Sequence, residues 1–316
     1  VSTTRQDDTV ESVDVVETST QSSTSASTRI SVVARKELRH VSRSRSAQTL
    51  LVVLLVSVIG VFQAVARGLG PTSATAAVDN LGLPFQLLVP LAAILVGCFT
   101  VSGERASGSL RVLLGMPLSR TEIVVGKLVG GLAALAVGVA AAIGFAILVS
   151  LGTFGTVPVR PLVGLGVTTV LFAFAFGGLS IGVSAAAATP KRSIAVVTGG
   201  YMTMTFLWEP VVVGIHRAAS QVLPSSAVAT WVPFLERLNP IEAYADVATI
   251  LGGASVYPLR ITFGLLERDS GASLADHVSG VVAGYLVEPF LIGVLCAWTM
   301  VPVLFGMVRL RAVDIS

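Results

Sequence analysis

Few residues of this 316-residue chain combine a reactive type with a useful spacing, and most of the suggestive ones lie in settings that disarm them. Gly178-Leu-Ser180-Ile-Gly182 spells a nucleophile-elbow pattern, yet it falls inside a long apolar run, without the strand-turn-helix that exposes such a serine. A hydrolase working there would need a histidine at the same depth. His40, His216 and His277 all lie near or beyond the ends of the apolar runs, and no His-Glu-x-x-His occurs. Cys98 and Cys296 sit within apolar runs, where a free thiol behaves as a small apolar residue rather than as a metal ligand or half of a disulfide. Gly126-Lys127 is followed by Leu128 and lacks the earlier glycine of a P-loop, so no backbone cradle for nucleotide phosphates is present. The sequence thus shows no catalytic, cofactor or metal site of its own.

What remains is a charged connector between two strongly apolar stretches, Ser102-Gly-Glu-Arg-Ala-Ser-Gly-Ser-Leu-Arg-Val-Leu-Leu-Gly-Met-Pro-Leu-Ser-Arg-Thr-Glu122, running into Gly126-Lys127. Leu110, Leu113 and Leu114 recur at i, i+3 and i+4, a short amphipathic turn with Arg111 on another face. Pro117 ends it. Ser119 stands three residues before Glu122, the spacing of a capping box in which each side chain satisfies an orphan amide of the following helix. This spacing predicts a helix, a stiff break and a capped helix entering the next apolar run. Such a construction passes a push onward as a lever does; an ordinary basic loop with good capping has the same pattern.

The elements that must position this connector follow from composition. With 53% hydrophobic and only 12% charged residues, the chain reads as all-α and polytopic in a membrane rather than as a soluble core. A hydrocarbon core of roughly 30 Å needs about 20 apolar residues per helix. Six runs meet this: Thr49 to Ala66, Leu83 to Ser102, Ile123 to Ser150, Leu162 to Thr189, Ile194 to Ile215 and Val287 to Val308. Runs of this length satisfy every backbone amide internally as helices, whereas barrel strands would be half as long and alternating.

Lys and Arg set the orientation. Arg35, Lys36, Arg39, Arg43 and Arg45 precede the first run; Arg105, Arg111, Arg120 and Lys127 surround the connector; Lys191 and Arg192 mark the fourth junction; Arg309 and Arg311 follow the last run. All four groups share one side, which the positive-inside rule makes the cytoplasm, so both termini are expected inside a cytoplasmic membrane. Residues 1–28 are rich in Ser and Thr, carry Asp7, Asp8, Glu11, Asp14 and Glu17, and show no leader pattern; they are expected to be disordered. Residues 29–46 place Ile30, Val33, Leu38 and Val41 at helical spacing among basic residues, which fits an interfacial amphipathic helix or a charged flank that fixes topology. Residues 47–312 then form the transmembrane domain, with the connector at 103–122 and an outer segment at 216–286.

The outer segment has structure of its own. Asn239-Pro240-Ile241-Glu242 combines an N-cap, a first-turn proline and an acid at N3, and Gly252-Gly253 supplies a stop. A second short helix is expected from Ala227 to Leu238. Together they would form a lid over an outer mouth or seal the outer leaflet. Glu209 and Glu288, each followed by proline, lie at matching depth near the outer ends of the fifth and sixth runs; they either line an outer vestibule or sit hydrated at the interface. Gly126-x-x-x-Gly130 and Gly178-x-x-x-Gly182 permit close helix approach, within the chain or between copies.

The connector, read as Glu104-Arg-x-x-Gly108-x-Leu110-x-x-Leu113-Leu114-x-x-Pro117-x-Ser119-Arg120-x-Glu122-Ile-x-x-Gly126-Lys127, resembles the first cytoplasmic loop of type-2 ATP-binding-cassette (ABC) transporter permeases of prokaryotic exporters. Ala34-Arg-Lys-Glu37-Leu-Arg39 with Arg43-Ser-Arg45 is similar to that family's amphipathic N-terminal segment. The resemblance implies a permease subunit with six spans, no ATPase site of its own, and ATP and Mg2+ held by a separate nucleotide-binding subunit. It further implies that Glu104, Arg105, Gly108, Leu110, Leu113, Leu114, Pro117, Ser119, Arg120 and Glu122 couple to that subunit. The expected partners are an ABC ATPase, a second permease copy or paralogue, and membrane lipid, but no nucleic acid. Two other readings stand beside it: a non-transporting scaffold or regulator that recruits a cytoplasmic partner, and a secondary transporter, which the scarcity of ionisable residues deep in the runs disfavours.

Overall fold

In the computed structural model of the chain, residues 26–107, 119–222, 231–259 and 288–312 are described, and all regular elements among them are helical. They are α1 (Ala26–Ser42), α2 (Arg45–Ala66), α3 (Ala74–Gly97), α4 (Ser102–Ala106), α5 (Arg120–Phe154), α6 (Val159–Ala186), α7 (Pro190–Met202), a π turn (Thr203–Leu207), α8 (Trp208–Val222), α9 (Trp231–Arg237), α10 (Pro240–Gly252) and α11 (Glu288–Ala312). Five segments among the described residues are long and apolar enough to cross a membrane: Arg45–Ala66, Ala74–Ala106, Arg120–Phe154, Val159–Ala186 and Pro289–Leu310.

The predicted fifth run is built differently from the others. Residues 190–222 are helical throughout but interrupted by the π turn, so α7 and α8 are each too short to be a span alone. A π turn widens the helix and displaces a backbone carbonyl from its partner. Here the Met204 carbonyl accepts a hydrogen bond of 2.7 Å from Asn239 Nδ2, outside its own helix. The second run also starts earlier than its apolar stretch, at Ala74, where the Ser73 side chain accepts from the Ala76 amide. Pro84 and Pro90 lie inside α3, and the helix runs through both. Prolines are tolerated in such helices because neighbouring elements satisfy the freed backbone groups.

α6 is the axis of the bundle. It packs against α3, α5, α10 and α11, and its window is the most buried of the five. Helices in lipid gain nothing from burying apolar surface against one another, so close packing must hold them. Side chains added at Gly178 and Gly182 would strike the backbone of Thr299 and Pro302 on α11, and one at Gly306 would strike Gly182. The Gly178-x-x-x-Gly182 motif is therefore consumed inside the chain, by α11. Gly164 makes the same approach to Gly252 of α10, and Phe172 stacks on Tyr244 with centroids 4.6 Å apart.

The Asn239-Pro240 signal yields α10 as expected. Asn239 Oδ1 accepts from the Ile241 amide at 3.0 Å, Pro240 is the first helical residue, and Gly253 ends the helix in the left-handed conformation at φ 66°. The helix expected over 227–238 is realised as α9, residues 227–230 lying outside the described residues. Trp208 Nε1 donates to the Leu235 carbonyl at 3.1 Å and Trp298 Nε1 to the Leu238 carbonyl at 2.9 Å, fastening α9 and its exit to α8 and α11.

Replacing Gly182 with Val forces α6 from α11 and is expected to cost about 1–3 kcal/mol, the usual range for overpacking. Gly199→Ala, where an added methyl meets open space, is the matched control. Thermal unfolding in detergent should show a lower midpoint for Gly182→Val alone; equal midpoints would contradict the close α6–α11 contact.

Candidate functional site

The described basic residues Arg35, Lys36, Arg39, Arg105, Arg120 and Lys127 gather at one end of the bundle, where α1, α4, the start of α5 and the ends of α6 and α11 meet. α1 lies along the first turns of α5 because two glycines let it. A side chain at Gly126 would come within 2.6 Å of Val33, and one at Gly130 would strike the backbone of Ala34. The Gly126-x-x-x-Gly130 motif, like the other, serves intrachain packing.

Between these glycines stands Lys127, 4% exposed. Its ammonium lies 2.9 Å from Glu104 Oε1 of α4 and 3.4 Å from Glu37 Oε2 of α1. Removing an ammonium from water costs several kcal/mol, and only close, well-placed counter-charges offset it. Three elements distant in sequence are thus required at one point. The amphipathic helix expected at 29–46 is realised as α1, beginning at Ala26 within the stretch read as a tail and ending at Ser42. Its Glu37, Ala34 and Val41 are buried, so it is docked on α5 as well as basic on its outer face.

The capping box forms with both of its bonds. Ser119 Oγ accepts from the Glu122 amide at 3.1 Å, and Glu122 Oε2 accepts from the Ser119 amide at 2.8 Å. The other carboxylate oxygen, Oε1, receives the Arg29 guanidinium at 2.7 and 3.2 Å. One acid therefore caps α5 and clamps the start of α1.

Two of the connector's arginines, Arg105 and Arg120, cap other helices. Arg105 donates to the carbonyls of Ala187 and Ala185 at 3.0 and 3.3 Å, at the C-terminal end of α6. Arg120 donates to the Leu310 carbonyl at 2.8 Å, in the last turn of α11. The last carbonyls of a helix have no internal partner and carry partial negative charge, which suits a guanidinium. From the other direction, Ser184 of α6 accepts from the amides of Val101 and Ser102 at 3.1 and 3.0 Å, and donates to the Cys98 carbonyl at 2.9 Å. That serine fixes the turn from α3 into α4.

Of the residues expected to couple, Glu104, Arg105, Ser119, Arg120 and Glu122 are brought together at this end, while Gly108, Leu110, Leu113, Leu114 and Pro117 lie outside the described residues. Glu37, Lys127, Ser184 and Arg29 complete the cluster. Sequence reasoning took Lys127 for a topology marker and did not single out the other three as partners, because their partners lie dozens of residues away. At the opposite end, Glu209 is 4% exposed, directly after the π turn, so it is not a solvated interfacial acid. Glu288 begins α11, and its side chain lies outside the described residues. Among the described residues no group of three His, Cys, Asp or Glu is placed to hold a metal ion.

Comparison with known proteins identifies the family. The profile of the family described as "ABC-2 family transporter protein" matches residues 31–315. A protein described as "Probable ABC transporter permease protein NosY" from Pseudomonas aeruginosa is 30% identical over 220 residues, covering 67% of this chain and 78% of the relative. Its namesake from Stutzerimonas stutzeri is 37% identical over 101 residues, 31% of this chain and 37% of that protein. Membership implies association with an ABC ATPase subunit. A profile match that runs from α1 to beyond α11, around a bundle of long apolar helices, makes this chain a multi-pass membrane subunit of the ABC-2 transporter family.

Proposed function

We propose that this chain is the permease of an ATP-driven exporter, with its basic end in the cytoplasm, and that the connector at 103–122 receives the stroke of a separate nucleotide-binding subunit. The observation that carries this reading is the anchoring of the connector on both sides. At its entry, Glu104 and Arg105 are tied to α5 through Lys127 and to the end of α6. At its exit, Ser119, Arg120 and Glu122 are tied to α5 itself, to α11 and to α1. The two ends of the connector are thereby tied to four helices, α1, α5, α6 and α11. The chain supplies no phosphate cradle, so the energy enters from a partner, and two copies or a paralogous pair would enclose the path.

The test is co-purification with the cognate ABC ATPase in lipid, followed by ATP turnover and substrate movement. Glu104→Gln and Arg105→Ala are expected to leave the complex assembled while lowering permease-dependent turnover by about tenfold, within the range of a coupling free energy of 1–3 kcal/mol. Unchanged turnover in both variants would sink the coupling role. A chain that brings down no ATPase would favour the scaffold reading instead.

The triad makes a second prediction. Lys127→Met strands two carboxylates and should cost about 3–5 kcal/mol, whereas replacing all three members, Glu37→Gln, Lys127→Met and Glu104→Gln, leaves no uncompensated charge and should recover most of that loss. Unfolding midpoints of the single and triple variants decide it; a triple variant less stable than the single one would contradict the ion-pair account.

A further inference from the structure

Two adjoining cavities lie at the basic end, beside the coupling residues just described. One, of about 200 Å³, is walled by apolar side chains of α2, α3 and α5, among them Leu51, Leu54, Val89, Leu135 and Gly138. The other, of about 430 Å³, is polar and is bounded by Lys36, His40, Ser44, Ser46 and the Glu37–Lys127–Glu104 triad. Val41, Ala47 and Val96 line both, so the two meet where α1, α2 and α3 converge. The polar one lies at the helix ends; the apolar one lies deeper along the same helices.

We propose that this junction holds one anionic phospholipid from the leaflet at the basic end, its phosphate in the polar cavity and an acyl chain in the apolar one. Charge selects the headgroup. The two acids of the triad exceed Lys127 by one charge, which Lys36 at the cavity wall offsets; the positive surplus is carried by exposed Arg39 and Arg43, on the helical face of Lys36, and by Arg45, between the lining residues Ser44 and Ser46. Glu37, the one acid between residues 35 and 45, is committed to Lys127. Backbone geometry adds to this: α2 starts at Arg45 with a Ser44 cap whose hydroxyl makes no bond to the helix, and the first-turn residues Ser46 and Ala47 border the cavity. Helix N-termini with open amides favour phosphate. The tail is selected by the apolar walls, since an unfilled space among those side chains forfeits dispersion contacts that a methylene chain restores. The site is independent of whether the protein moves a substrate, and its test reads lipid retention alone.

The full-length chain, delipidated in detergent, would be titrated with dioleoyl phosphatidylglycerol or dioleoyl phosphatidylcholine and examined by native mass spectrometry. One phosphatidylglycerol per chain is expected to bind at least about fivefold more tightly than phosphatidylcholine, the effect of roughly one basic residue at a membrane surface. The double variant Lys36→Gln, His40→Gln should lose that preference while keeping its unfolding midpoint. At Gly138 an added side chain meets open space, so Gly138→Leu should enter the apolar cavity and weaken both lipids alike. Equal retention of the two lipids by the native chain, or an undiminished preference in the double variant, would overturn the headgroup site. Unaltered affinity in Gly138→Leu would overturn the acyl site.

Discussion

A single buried ammonium organises one end of this protein. Lys127 is almost inaccessible to solvent, and it sits on a helix whose next turns are wholly apolar. Such a group persists as a cation only where carboxylates reach it, and the two that do come from α1 and α4. The reach depends in turn on Gly126 and Gly130, which bracket the lysine and allow the backbone of α1 to lie directly on α5; a methyl at Gly130 would meet the backbone of Ala34 and crowd Glu37. The ion pairs and the small-residue contact are therefore one device. Without the glycines Glu37 stands too far away, and without Glu37 the ammonium beneath the docked α1 keeps only Glu104.

The remaining polar contacts at this end follow from the accounting that every helix terminus demands. Several helices end or begin there, and each end leaves backbone groups without internal partners. Arg105 serves the end of α6, Arg120 the end of α11, Ser184 the start of α4, and Ser119 with Glu122 the start of α5. Side chains that look in the sequence like a scatter of basic and small polar residues are mutual caps. A positive charge near a membrane surface has thus acquired a second use: the same guanidinium that biases topology also fixes one helix end against another.

What the sequence made legible was local. The capping box, the Asn239-Pro240 start and Gly253 stop of α10, and five of the six long apolar runs depend on signals contiguous in the chain, and these are formed. What it hid was either distant or non-standard. Nothing near Glu37 announces that it meets Lys127, ninety residues on. The glycine motifs were visible, but not their partners, since a small-residue stripe suits any close helix. The apolar run starts later than α3 because Asp79 and Asn80 interrupt the hydropathy, while the backbone there is already helical, with Asp79 accepting from the Ser255 amide. The π turn carries no signal in spacing that distinguishes it from the α-helix on either side.

The two ends of the bundle solve the same problem with different means. At the basic end, orphan backbone groups and a buried charge are met by ionised side chains, which hold their partners strongly but demand full compensation. At the opposite end the broken seventh and eighth helices are met by neutral groups: Asn239 takes up the Met204 carbonyl, and Trp208 and Trp298 donate to carbonyls around α9. Neutral hydrogen bonds of this sort contribute roughly 0.5–1.5 kcal/mol each, and those to charged groups about twice that. One ion pair, Arg237 Nε to Asp246 Oδ2 at 3.1 Å, joins α9 to α10 as well, so charge at this end ties one short helix to its neighbour instead of meeting a broken helix end.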